Sequence, residues 1–124
     1  MAKKVLVVDD NPVSRELIRE VLEDSDRKVL EAENGEEALR KIAEEKPDIV
    51  LLDIQLPVYD GYEVLHRVRT RLKLDTLPVL ALTAYAMPED RTKALSSGFD
   101  AYITKPIDAA ALRIQVEKML GSQP

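Results

Sequence analysis

The chain has 124 residues, 45% of them hydrophobic and 33% charged, which suits one domain around one core and leaves little room for a second. A formal net charge of −5 disfavours generic binding to nucleic acid or to an anionic membrane, because Lys and Arg supply that affinity. The absence of cysteine excludes disulfides, thiolate metal sites and thiol catalysis.

The first apolar run, Val5-Leu6-Val7-Val8, stops abruptly at Asp9-Asp10. It is too short for a signal-peptide core or a membrane span, so a cytoplasmic location is expected. Asn11 is a candidate N-cap and Pro12 fits the first helical position. Val13, Leu17, Ile18, Val21 and Leu22 then recur at helical spacing, which predicts one buried stripe. Residues 28–31 form a weaker strand that suits a sheet edge. Asn34 can cap a second helix with Ala38, Leu39, Ile42 and Ala43 on its inner face.

Ile49-Val50-Leu51-Leu52 is a second continuous apolar run, and it stops at Asp53. Val64, Leu65, Val68 and Leu72 mark a third helix. Val79-Leu80-Ala81-Leu82 ends at Thr83, and residues 88–96 form a short fourth helix closed by Gly98. Residues 101–103 make a second edge strand. Ala111, Leu112, Val116, Met119 and Leu120 mark a fifth helix closed by Gly121, so the domain is expected to span 1–121 with a loose tail at 122–124. Continuous apolar strands are covered on both faces, and five βα units with right-handed crossovers favour an α/β, doubly wound parallel sheet.

The polar residues stand at informative places. Asp9, Asp10, Asp53 and Thr83 each follow an apolar strand, and Lys105 lies just past the fifth. In an open α/β sheet, ligands bind beyond the carboxyl ends of the strands, so these residues should converge. Three carboxylates repel one another unless a cation balances them, and their hard oxygens suit Mg²⁺. Any one such Asp is as readily a helix cap or turn residue. Lys105 alone would read as a solvated lysine, and Thr83 alone as a turn hydroxyl. The combination carries the signal.

Six short motifs add to it: Val7-Val8-Asp9-Asp10-Asn11, Leu51-Leu52-Asp53-Ile54-Gln55-Leu56-Pro57, Asp60-Gly61, Leu82-Thr83-Ala84, Gly98-Phe99-Asp100-Ala101-Tyr102 and Lys105-Pro106. In this order they resemble the receiver domains of two-component response regulators over nearly the whole chain. The resemblance implies a flavodoxin-like (βα)5 fold with strand order 2-1-3-4-5. It implies that Asp53 accepts a phosphoryl group from a histidine kinase or a histidine phosphotransfer protein. Asp10 and Asp53 would ligate Mg²⁺, Asp9 would help mostly through water, and the main-chain carbonyl of Gln55 would complete the site. Lys105 would pair with phosphate oxygens and Thr83 would donate its hydroxyl. Ala84 would leave room for the phosphate, and a cis peptide would precede Pro106, which X–Pro bonds tolerate at low cost. Tyr102 resembles the family's switching aromatic and would rotate inward on phosphorylation; on pattern alone it reads equally as an edge-strand tyrosine.

The same resemblance implies a downstream protein partner at the face made by the fourth helix, fifth strand and fifth helix. It implies a monomer or weak dimer, no membrane or nucleic-acid partner, and a switch rather than a turnover enzyme, with autodephosphorylation expected. Gln55 and Tyr85 flank the expected phosphate site, where family members tune water access. Leu56 stands where many members have Met.

Two other classes compete. A Mg²⁺-dependent phosphohydrolase could use Asp53 as nucleophile, but usually has a second acid two residues on, where this chain has Gln55. A flavodoxin-like FMN carrier would want a Ser/Thr/Gly-rich loop after the first strand, where this chain has Asp9-Asp10-Asn11. Phosphate release from small esters tests the first and an absorbance spectrum the second. His66, beside Arg67, Arg69, Arg71 and Lys73, reads as part of a solvated helix face. Met87 suits either packing or a partner contact.

Overall fold

The computed structural model describes residues 2–121, so the expected tail at 122–124 lies outside the described residues. Five strands alternate with five helices: β1 (Lys3–Val8), α1 (Pro12–Leu22), β2 (Arg27–Ala32), α2 (Gly35–Glu45), β3 (Ile49–Asp53), α3 (Gly61–Thr70), β4 (Val79–Thr83), α4 (Pro88–Ser96), β5 (Ala101–Thr104) and α5 (Ala109–Met119). All strand pairs are parallel and the order is β2-β1-β3-β4-β5. The weaker apolar runs therefore form the two edges, as expected, and the order reverses between β1 and β3. This is the flavodoxin-like doubly wound sheet.

Side chains of a strand alternate between faces, and the central strands use both. Leu6, Val8, Val50 and Leu52 face Ala38 and Ile42 of α2, Val64 and Val68 of α3, and Ala94 of α4. Val5, Val7, Ile49 and Leu51 face Ile18 and Leu22 of α1 and Leu112 and Val116 of α5. Each Val, Leu or Ile among them contributes roughly 1.5–3 kcal/mol when fully buried.

Side-chain caps fix where the helices start. Asn11 Oδ1 accepts from the Val13 amide at 2.8 Å, Asn34 from Glu37 at 2.8 Å, Asp60 from Glu63 at 2.9 Å and Asp108 from Ala111 at 3.1 Å. α4 differs: its only buried residue is Ala94.

Several expected stripes were too wide. Val13 and Leu17 were expected in the core but are 70% and 43% exposed. Only Ile18 and Leu22, one turn apart, lie fully over the sheet. Ala43 and Ala111 are exposed too, and Leu72 falls in the turn after α3. A helix resting on a sheet needs only the residues directly over it, and spacing alone does not mark where that contact stops.

Candidate functional site

Residues from four strand ends meet where the strand order reverses. Asp9 follows β1 and is fully buried; its amide continues the ladder to the Ala32 carbonyl at 3.1 Å. Asp53 ends β3 and is 3% exposed. Lys105 follows β5, and its Nζ lies 2.8 Å from Asp9 Oδ2 and 2.8 Å from Asp53 Oδ2. The other oxygen of each carboxylate accepts a main-chain N–H two residues on, Asn11 at 2.9 Å and Gln55 at 2.8 Å. Asp10 is exposed beside them, and the three carboxylates offer oxygens within 4.8 Å of one another. The donors are hard oxygens on small acids, a set that fits Mg²⁺.

Burial pushes the Asp53 carboxyl above its ordinary value. Hydrogen bonds from Lys105 and the Gln55 amide oppose the rise, and the nearby Asp9 charge adds to it. For Lys105 burial works against the charge, but the hydrogen bonds to Asp53 and Asp9 outweigh it and hold the ammonium above its ordinary value. The lysine is thus an internal counter-ion for two buried acids.

A raised folded-state value means that Asp53 adds stability while protonated. That contribution is complete below the ordinary value of 3.8 and is lost as pH rises through the raised value. Without Mg²⁺, the stability of Asp53→Asn relative to wild type should therefore grow from acid to neutral pH. Urea unfolding at a series of pH values measures it, and parallel pH profiles would contradict the burial argument.

Thr83 ends β4 and is fully buried. Its Oγ1 accepts from the Tyr85 amide at 3.0 Å and donates to Gln55 Oε1 at a long 3.5 Å. The same Gln55 oxygen accepts from the Ala84 amide at 3.2 Å. Sequence reasoning gave Gln55 a main-chain role and missed this side-chain bridge, because only the pairing of β3 with β4 brings the two loops together. The Lys105–Pro106 peptide is cis, as expected. Tyr102 is 9% exposed and its hydroxyl donates to the Tyr85 carbonyl. His66 is exposed on α3 and takes no part in the cluster.

The sequence matches the response regulator receiver domain family over residues 5–117. The chain is a response-regulator receiver domain. It is 37% identical over 121 residues to the polar-differentiation response regulator DivK of Brucella anthropi, covering 98% of each chain. It is 42% identical over 123 residues to part of the sensor histidine kinase GacS of Pseudomonas protegens, covering 97% of this chain and 13% of that protein. Among solved structures, a putative response regulator from Chloroflexus aurantiacus superposes with a TM-score of 0.90 at 33% identity, covering 98% of this chain and 99% of that one. Receiver domains are signalling switches rather than conventional turnover enzymes, and the family binds Mg²⁺ at this acidic cluster. Among the described residues, no helix of the receiver is long and apolar enough to cross a membrane.

Proposed function

We propose that this receiver takes a phosphoryl group on Asp53 from a histidine kinase or a histidine phosphotransfer protein and passes the signal on by protein contact. One observation carries the reading: a buried carboxylate at the end of β3 is held by Lys105 with two further carboxylates close by. An Asp53 oxygen attacks phosphorus, and the bond from phosphorus to the donor imidazole breaks as the new O–P bond forms. Asp10 and Asp53, the Gln55 main-chain carbonyl and, through water, Asp9 would hold Mg²⁺. When bound, that ion offsets charge and orients the phosphoryl oxygens, which is most of what this chemistry asks. Lys105 turns part of its bonding from the carboxylates to the phosphoryl oxygens. Exposed Ala84 leaves space there.

The switch follows from Thr83. A phosphoryl oxygen is a stronger acceptor than the amide oxygen of Gln55, and the Thr83 hydroxyl gains a charge-assisted bond by turning to it. That releases the Tyr85 amide from Thr83 Oγ1, and Tyr85 is the residue whose carbonyl holds Tyr102. The change therefore reaches Tyr102 through its hydroxyl partner. A downstream protein reads the face of α4, β5 and α5, and a few kcal/mol between states suffices to shift the population. Autodephosphorylation, a monomeric or weakly dimeric state and a cytoplasmic setting complete the proposal.

Wild-type protein incubated with Mg²⁺ and acetyl phosphate should gain one phosphoryl group by intact mass, with acetate as leaving group. Chelation should abolish the gain. Uptake that is equal with and without chelator, or no uptake from either a small donor or a phosphorylated histidine protein, overturns the reading.

A further inference from the structure

We propose that Arg15 is a positioning residue for the acid pair: it grips the peptide between Asp9 and Asp10 and so aims the Asp10 carboxylate at a divalent cation. The inference rests on the Mg²⁺ site of the proposed function and adds a residue to it. Arg15 lies on α1, one turn after the Asn11 cap, and its side chain is 15% exposed. Its Nη1 donates to the Asp9 main-chain carbonyl at 2.7 Å. Its Nε donates to Glu31 Oε1 on β2 at 2.9 Å. A planar guanidinium with both ends engaged is a rigid strut, and a lysine ammonium cannot reproduce that fork.

The strut meets a need at Asp10. Asp9 is fixed on every side: its amide by Ala32, one carboxylate oxygen by Asn11 and the other by Lys105. Asp10 is exposed and has no such bonds of its own. What remains to direct it is the plane of the preceding peptide, and the carbonyl of that peptide is the atom Arg15 holds. Glu31 anchors the far end of the strut. Burial works against the Glu31 charge, yet the hydrogen bonds from Arg19 and Arg15 keep its carboxyl below the ordinary range. Groups that hold a metal ligand in place typically cost 10–100-fold in affinity when removed, although they never touch the ion.

Arg19 supplies an internal control. It bonds the same Glu31, at 2.9 Å through Nε, but no hydrogen bond joins it to Asp9. Mg²⁺ affinity is read from the intrinsic tyrosine fluorescence, or from amide shifts if that signal is small. Arg15→Met should weaken binding by about tenfold. Arg15→Lys should recover little of the loss, and Arg19→Met, which leaves both Arg15 bonds in place, should weaken binding far less than Arg15→Met. Melting in chelator reports any general loss of stability separately, and Glu31→Gln offers a milder probe should Arg15→Met fold poorly. That variant frees one end of the strut and should weaken Mg²⁺ by a smaller factor. If wild type binds Mg²⁺ and the Arg15 and Glu31 variants bind it equally well, this proposal falls and the proposed function stands. If wild type itself binds no Mg²⁺, the proposed function fails first.

Discussion

Asp53→Asn should take up no phosphoryl group under conditions that label the wild type. The amide keeps the shape of the side chain but loses the anionic oxygen that attacks phosphorus, so loss of uptake is not a folding effect. Burial supports this: the variant drops a charge that the folded state holds at a cost, and it should fold. Asp9 is the poorer candidate, because it is fully enclosed whereas Asp53 keeps a narrow exposed edge. Asp10 is accessible, which makes it the residue to search for stray label. Thr83→Ala is the contrasting variant. It keeps the nucleophile, and should take up the group while losing most of the response at Tyr85 and Tyr102. Amide and ring shifts with and without beryllofluoride measure that response. Label remaining on Asp53→Asn protein overturns the acceptor assignment, and an equal Tyr102 response in Thr83→Ala overturns the route.

Gly61→Ala should cost stability and uptake together. A Cβ at Gly61 would stand 2.6 Å from Ile54 Cα and 2.9 Å from the Asp53 carbonyl oxygen. Both are backbone atoms and neither can swing aside. The Gly61 amide also donates to the Ile54 carbonyl at 2.9 Å, which holds the start of α3 against the end of β3. One added methyl therefore pushes α3 away from the residue that carries the nucleophile. Overpacking of this kind costs about 1–3 kcal/mol, and backbone opponents place it toward the upper end. Gly121→Ala is the comparison: its φ of 64° is unfavourable for alanine, but nothing lies within 4 Å of the new methyl. It should leave uptake intact. Urea unfolding and intact mass on both variants decide the matter, and a Gly61→Ala protein with wild-type stability would refute the contact argument.

The acids at strand ends and the lysine beyond β5 were legible because they follow from short-range rules, whereas the strand order came only with the family resemblance. Apolar runs covered on both faces name the central strands, and a polar residue at the end of such a run has one place to go. What escaped depends on distances between elements. Val13 and Leu17 fit the helical period as well as Ile18 does, yet the sheet does not reach them. The Gln55 side chain spans from the β3 loop to the β4 loop. Arg15 reads as an ordinary charged helix residue until its main-chain partner is seen. Tyr102 was placed correctly on β5, but its hydroxyl partner, the Tyr85 carbonyl, lies on another loop, which no periodicity encodes.

The sparse anchoring of α4 has a consequence for how such a molecule diversifies. Ala94 is the only one of its nine residues in the core. Arg91 and Lys93 instead lie over the rings of Tyr102 and Tyr62, 5.9 Å and 4.7 Å from the centroids. Substitutions on the outward side of this helix leave both aliphatic layers intact, so they fall among surface changes that stay within about 0.5 kcal/mol. The outer alphabet of α4 can be rewritten almost independently of the folding problem. Two copies of this fold could share one phosphorylation chemistry and yet address different listeners.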